Sequence, residues 1–160
     1  MYRQQLSKEQ ALQKIRHYCG YQERSHKEVK EKLYGYKLRK EVVEELLSNL
    51  IEDSYLNEER FAVQFAGGKF RMKQWGRIKI VHELKARGVS QYCINAALKE
   101  INEEAYCQAL EKLAKRKWAT LKKEGNKLVK LQKTRQHLLK KGYEPSYIEP
   151  VLKNLPLHEP

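Results

Sequence analysis

The chain has 160 residues and a mass of 19.0 kDa, room for one or two small domains or a short array of repeats. Hydrophobic residues make up 41% and charged residues 33%, with mean hydropathy −0.82, which excludes collagen-like, mucin-like and membrane-spanning compositions. Lys and Arg number 33 against 20 Asp and Glu, a net charge of +13, so the expected partner is a polyanion or an acidic protein surface.

The opening residues, Met1 to Lys8, are polar and charged and lack the apolar stretch of a signal peptide, so a cytoplasmic location is expected. Ser7-Lys8-Glu9-Gln10 is a capping box that opens a helix whose apolar face carries Leu12, Ile15 and Cys19. A second box, Ser25-His26-Lys27-Glu28, opens the next helix, and Val43, Leu46, Leu47 and Leu50 share one face of the third. Asn57 before Glu58-Glu59 puts acids where a helix dipole favours them, ahead of Phe61 and Phe65. Gly88 suits the left-handed position that stops a helix, and Ser90 suits the cap of the one bearing Ile94, Ala97, Leu98 and Ile101. Asn102 caps a further helix, and Gly142 is a second left-handed stop. Three of the four prolines lie in the last eleven residues. No segment alternates as a half-buried strand does. The expected fold is all-α, with about nine helices.

These helices repeat. Leu33, Leu84 and Leu138 stand at successive offsets of 51 and 54 residues, as do Val43, Ile94 and Ile148. Leu46, Ala97 and Val151 keep the same register, with Leu47, Leu98 and Leu152, and with Leu50, Ile101 and Leu155. Three three-helix repeats follow, at 7–54, 55–101 and 102–155, with a tail at 156–160. The third is longer between its first two helices, around Lys122 to Asn126. Stacked in register, such repeats are expected to form an elongated, curved rod.

Little in the chain suggests catalysis. Asp53 is the only aspartate, and no nucleophile elbow, phosphate-cradling glycine loop or HExxH helix is present. His17, His26, His82, His137 and His158 lack ligand spacing, and Cys19, Cys93 and Cys107 read as small buried hydrophobes without disulfide or metal. A non-enzymatic binder without cofactors is expected.

The charge is unevenly placed. Residues 69–87 carry seven basic residues against Glu83, and 112–141 carry twelve against Glu124. Phe70 and Trp75 punctuate the first stretch, and Trp118 follows Lys115-Arg116-Lys117 in the second. Basic residues interleaved with rings can track a phosphate backbone while the rings stack on bases. Phe61 and Phe65 read as core; Phe70, Trp75 and Trp118 fit either a seam or a contact, and Gly76 reads as a tight turn. The candidate contact residues are Lys69, Arg71, Lys73, Trp75, Arg77, Lys79 and Arg87, then Lys115, Arg116, Lys117, Lys133 and Arg135.

The run from Tyr55-Leu56-Asn57-Glu58-Glu59-Arg60-Phe61-Ala62 through Phe65, Gly76-Arg77, Ile80, Glu83-Leu84, Gly88-Val89, Ile94 and Ala97-Leu98 resembles the middle repeat of the RecX regulatory proteins. Ala11-Leu12 with Arg24-Ser25, Glu28-Val29 and Lys32-Leu33 is similar to their first repeat, and Leu138, Gly142-Tyr143 and Ile148 to their third. Ser54 and Asn57 stand where the family usually has Gly and Asp, Lys37 replaces a first-repeat glycine, and Pro150 falls inside the expected last helix. The resemblance implies a modulator of the RecA recombinase that lies in the groove of the RecA–DNA filament, and a monomer is expected. Such proteins usually inhibit the filament's strand exchange, ATP hydrolysis and coprotease activities. The rival reading is a stand-alone basic helical module that binds DNA or RNA directly.

Overall fold

The structure, a computed structural model, describes residues 5–156; His158 and the tail from 157 onward lie outside the described residues. Among the described residues the chain is all-α, with nine helices and no strand. They are α1 Lys8–Tyr21, α2 His26–Gly35, α3 Lys40–Glu52, α4 Glu58–Lys73, α5 Arg77–Ala86, α6 Gln91–Lys99, α7 Glu103–Thr120, α8 Lys127–Lys141 and α9 Pro145–Lys153.

The helix starts follow the sequence signals. Both capping boxes form: the Ser7 and Ser25 hydroxyls accept from the Gln10 and Glu28 N–H groups, while those side chains accept from the serine N–H groups. The Asn57, Ser90 and Asn102 side chains accept from the N–H groups of Arg60, Cys93 and Ala105.

The stops of α2, α5 and α8 fall in one register. Lys37, Gly88 and Gly142 all have positive φ, at 61°, 75° and 97°. After Gly88 and Gly142, the Val89 and Tyr143 N–H groups reach back to the Leu84 and Leu138 carbonyls, the bond of a Schellman stop. The following residues, Leu38, Val89 and Tyr143, are buried at matching positions. Glycine adopts this conformation freely, whereas Lys37 carries a Cβ penalty of about 1 kcal/mol.

By contact the chain divides into two compact units, Met1–Phe65 with Leu84–Ala97, and Ala66–Glu83 with Leu98–Pro160. In the first, α1, α2 and α3 pack together around Ile15, Val29, Leu33, Val43, Leu46 and Leu50, each with no exposed surface. In the second, α7, α8 and α9 pack on one another and bury Tyr106, Leu110, Leu138, Tyr143, Ile148 and Leu152. Where the first repeats place Val29 and Ile80, the third has buried Thr134, whose hydroxyl donates to the Lys130 carbonyl four residues back at 2.9 Å.

Two side chains, Cys107 and Phe65, depart from expectation. Cys19 and Cys93 are buried, but Cys107 is exposed, lining a small pocket with Pro150, Val151 and Leu155. Phe61 is core, whereas Phe65 is only half-buried. Trp118 is buried in the second unit, with the Lys130 ammonium 4.0 Å from its ring centroid. Pro150 stands inside α9, which runs on to Lys153 although proline cannot donate to the Ser146 carbonyl.

Candidate nucleic-acid and partner interface

The candidate surface of the second unit is organised by one turn. Between α4 and α5, Gln74, Trp75 and Gly76 lie against the stop of α8. The Gly76 N–H donates to the Lys141 carbonyl at 2.7 Å and the Ile78 N–H to the Gly142 carbonyl at 2.9 Å. The Tyr143 hydroxyl donates to the Gln74 carbonyl at 2.9 Å, and the Lys141 ammonium to the Lys73 carbonyl at 3.2 Å. A Cβ on Gly76 would fall 2.4 Å from the carbonyl carbon and oxygen of Gly142, so close backbone approach requires this glycine. Gly76 stands in the turn before α5 as expected, but the positive φ there belongs to Gln74, at 59°, and it is the approach of Gly142 that demands the glycine. The turn presents Trp75 half-buried, with the Lys69 and Lys79 ammonium groups 5.1 and 4.7 Å from its ring centroid.

Arg77 opens α5 and faces inward. Its guanidinium lies 3.8 Å from the Tyr106 ring centroid and is forked between two carboxylates, donating to Glu103 and, at 3.0 Å, to Glu144. The Tyr106 hydroxyl accepts from the Arg77 N–H at 3.0 Å and donates to Glu144, while the Tyr147 hydroxyl donates to Glu103 at 2.5 Å. Phe70 and Tyr143 complete the aromatic cluster, with ring centroids 5.8 and 5.0 Å from that of Tyr106. Burial opposes charge on Arg77, but the hydrogen bonds it donates to Tyr147, Glu103 and Glu144 outweigh it and raise its pKa. Burial, reinforced by the Glu144 hydrogen bond, pushes the Tyr106 phenol well above its usual value. This arrangement holds α5, α7 and α9 together; it leaves Arg77 committed to its own chain.

The other candidates fall into two groups. Lys115 pairs with Glu111 at 3.2 Å, Lys133 with Glu124 at 3.2 Å, and Arg135 with both oxygens of Glu149 at 2.7 and 3.2 Å. Arg87 belongs to the first unit, 4.6 Å from the Phe65 ring centroid. Arg71, Lys73, Arg116 and Lys117 make no ion pair among the described residues, and all but the half-buried Lys117 are exposed. His137 marks where part of this charge gathers. Burial lowers its pKa below 6.5, and Lys117, Lys141 and Lys140 lower it further. Lys141 in turn reaches the Lys73 carbonyl, so cations from α7 and α8 gather beside the end of α4. Among the described residues, no three His, Cys, Asp or Glu side chains gather to hold a metal ion, and no helix is long and apolar enough to cross a membrane.

Against known families, residues 57–98 match the model described as RecX, second three-helix domain, and residues 103–152 match RecX, third three-helix domain. The chain belongs to the RecX family. A regulatory protein RecX of Halalkalibacterium halodurans is 33% identical over 89% of this chain and 53% of its own length. One of Clostridioides difficile is 27% identical over 91% of this chain and 68% of its own. The chain spans about half the length of the first curated RecX relatives it matches. The crystal structure of RecX from Lactobacillus salivarius superposes with a TM-score of 0.84 at 22% identity, covering 94% of this chain and 97% of that one, and so shares the fold. Family membership supports a regulatory role.

Sequence reasoning missed Glu103, Tyr106, Glu144 and Tyr147. The partners of Arg77 lie 26 and 67 residues away, so one cation of a stretch nearly free of acids is neutralised by carboxylates from elsewhere in the chain. One sign was available. At the register of Leu38 and Val89, the third repeat carries the larger, hydroxyl-bearing Tyr143.

Proposed function

We propose that this chain regulates a RecA-type recombinase by binding the recombinase–DNA filament and inhibiting its strand exchange, ATP hydrolysis and coprotease activities. It performs no chemistry itself and acts in the cytoplasm as a monomer. Its three repeats, 7–54, 55–101 and 102–155, serve as successive contact modules. The observation that carries the DNA part is the set of unpaired cations, Arg71, Lys73, Arg116 and Lys117, with His137 held neutral among lysines. Trp75, bracketed by Lys69 and Lys79, belongs to this surface as an aromatic anchor. Family membership supports the regulatory role, and the net charge of +13 supports a polyanionic partner.

Arg116→Glu with Lys117→Glu is the expected disruptive pair, because neither side chain supports the fold through an ion pair. With about four phosphates engaged on a single strand, log affinity falls against log salt with a slope of about −3, and the reversed pair makes the slope shallower. His137 reports the same event locally. In the free protein its lowered pKa means that stability is present above about pH 6.5 and is lost as pH falls through the folded value. Bound phosphates offset the lysine repulsion, so a histidine-resolved NMR titration shows its pKa rising on addition of DNA. A flat salt response with an unmoved His137 removes these residues from the interface.

A further inference from the structure

The first unit holds an open cleft of about 650 Å³ that the recombinase reading does not use. Its walls come from α1, the following turn and α2. They carry three rings, Tyr18, Tyr21 and Tyr36, and the cations Lys14, Arg24 and Lys32, with His17 beside them. No carboxylate lines it. Glu28 and Glu31 stand near Tyr18, whose pKa they help to raise, but neither lines the cleft, and Glu28 is engaged with the Ser25 N–H.

The rings and cations are arranged together. The Arg24 guanidinium lies 3.8 Å from the Tyr18 ring centroid and is fixed there by an Nε–H bond to the Tyr18 carbonyl at 3.1 Å. The Lys32 ammonium is 5.3 Å from the same centroid. Tyr18 and Tyr36 pack in part against the core of the unit, but Tyr21 is 80% exposed at the end of α1. The volume is in the range of small-ligand sites. Rings lining a cleft can stack on a flat aromatic ligand, and three cations with no carboxylate in the wall suit a phosphate.

We propose that this cleft binds a nucleoside phosphate, with the base stacked on Tyr21 beside Tyr18 and Tyr36 and the phosphate held by Lys14, Arg24 and Lys32. The shared chemistry has two sources, a free mononucleotide or one nucleotide of a single strand. The site is independent of the second unit's cations, so it stands or falls apart from the filament reading.

The test is photo-crosslinking of the full chain to 5-iododeoxyuridine monophosphate and to a short oligothymidylate carrying one 5-iododeoxyuridine, with labelled residues mapped by mass spectrometry. Labelling is expected at Tyr18, Tyr21 or Tyr36. Tyr21→Ala weakens binding of the labelling probe about fivefold or more, and Tyr21→Phe retains it, since stacking needs the ring and not the hydroxyl. Labelling by both probes identifies any nucleoside phosphate as ligand; labelling by the oligonucleotide alone identifies a strand segment. No labelling at these tyrosines overturns the proposal. So does labelling undiminished by Lys14→Ala with Lys32→Ala, two exposed lysines whose loss leaves the fold intact.

Discussion

Gly76→Ala is expected to destabilise the second unit by about 3 kcal/mol or more, lowering its melting temperature by roughly 12–24 °C. The added methyl meets backbone: the Gly142 carbonyl carbon and oxygen at 2.4 Å and the Tyr143 nitrogen at 2.5 Å. No side chain can swing aside, so the turn must retreat and lose the bonds from Gly76 and Ile78 to Lys141 and Gly142. Gly68→Ala is the matched control. Gly68 lies inside α4 with nothing within 4 Å of its added Cβ, so there the substitution raises stability by about 0.5–1 kcal/mol. Thermal melts of the two variants check both signs. Equal effects would mean that the two turns do not touch as described.

Arg77→Ala is the second large effect, about 2–3 kcal/mol. It strips Glu144 and Glu103 of their shared partner and uncovers the Tyr106 ring. Arg77→Lys recovers little, because an ammonium cannot fork between two carboxylates and stack on a ring at once. DNA affinity, measured where the variant is folded, stays close to the parent value. A variant that melts like the parent but binds DNA far more weakly would reverse this assignment and make Arg77 a contact residue. The same cluster gives alkaline sensitivity. The Tyr106 and Tyr143 phenols are raised, mainly by burial, so the stability they contribute is full below about pH 10 and is lost as pH rises beyond it.

The helices and their cores were legible because their signals are local. Capping residues at Ser7, Ser25, Asn57, Ser90 and Asn102 and apolar spacing along α1, α3 and α6 act within a turn or two. The 51 and 54 offsets then place Leu33, Leu84 and Leu138 at equivalent, fully buried positions. Lys37 shows the strength of this register: the chain takes the left-handed stop there without a glycine. The candidate surface was only half legible. Charge density along the sequence picked out Lys73 and Lys117, but also Arg77 and Arg135, which are paired with acids from distant helices. Gly76 was legible as part of a turn, but not as a point of contact. Its constraint comes from Gly142, 66 residues on, and no local pattern reports a backbone approach between segments so far apart.

The most direct test of the regulatory account is single-stranded-DNA-dependent ATP hydrolysis by a RecA recombinase, titrated with this protein. The account predicts saturable inhibition, weakened by Arg116→Glu with Lys117→Glu and accompanied by tighter binding to the nucleotide-bound filament than to bare DNA. Unchanged ATP hydrolysis with equal affinity for filament and bare strand would contradict it and leave a basic helical nucleic-acid-binding module in its place.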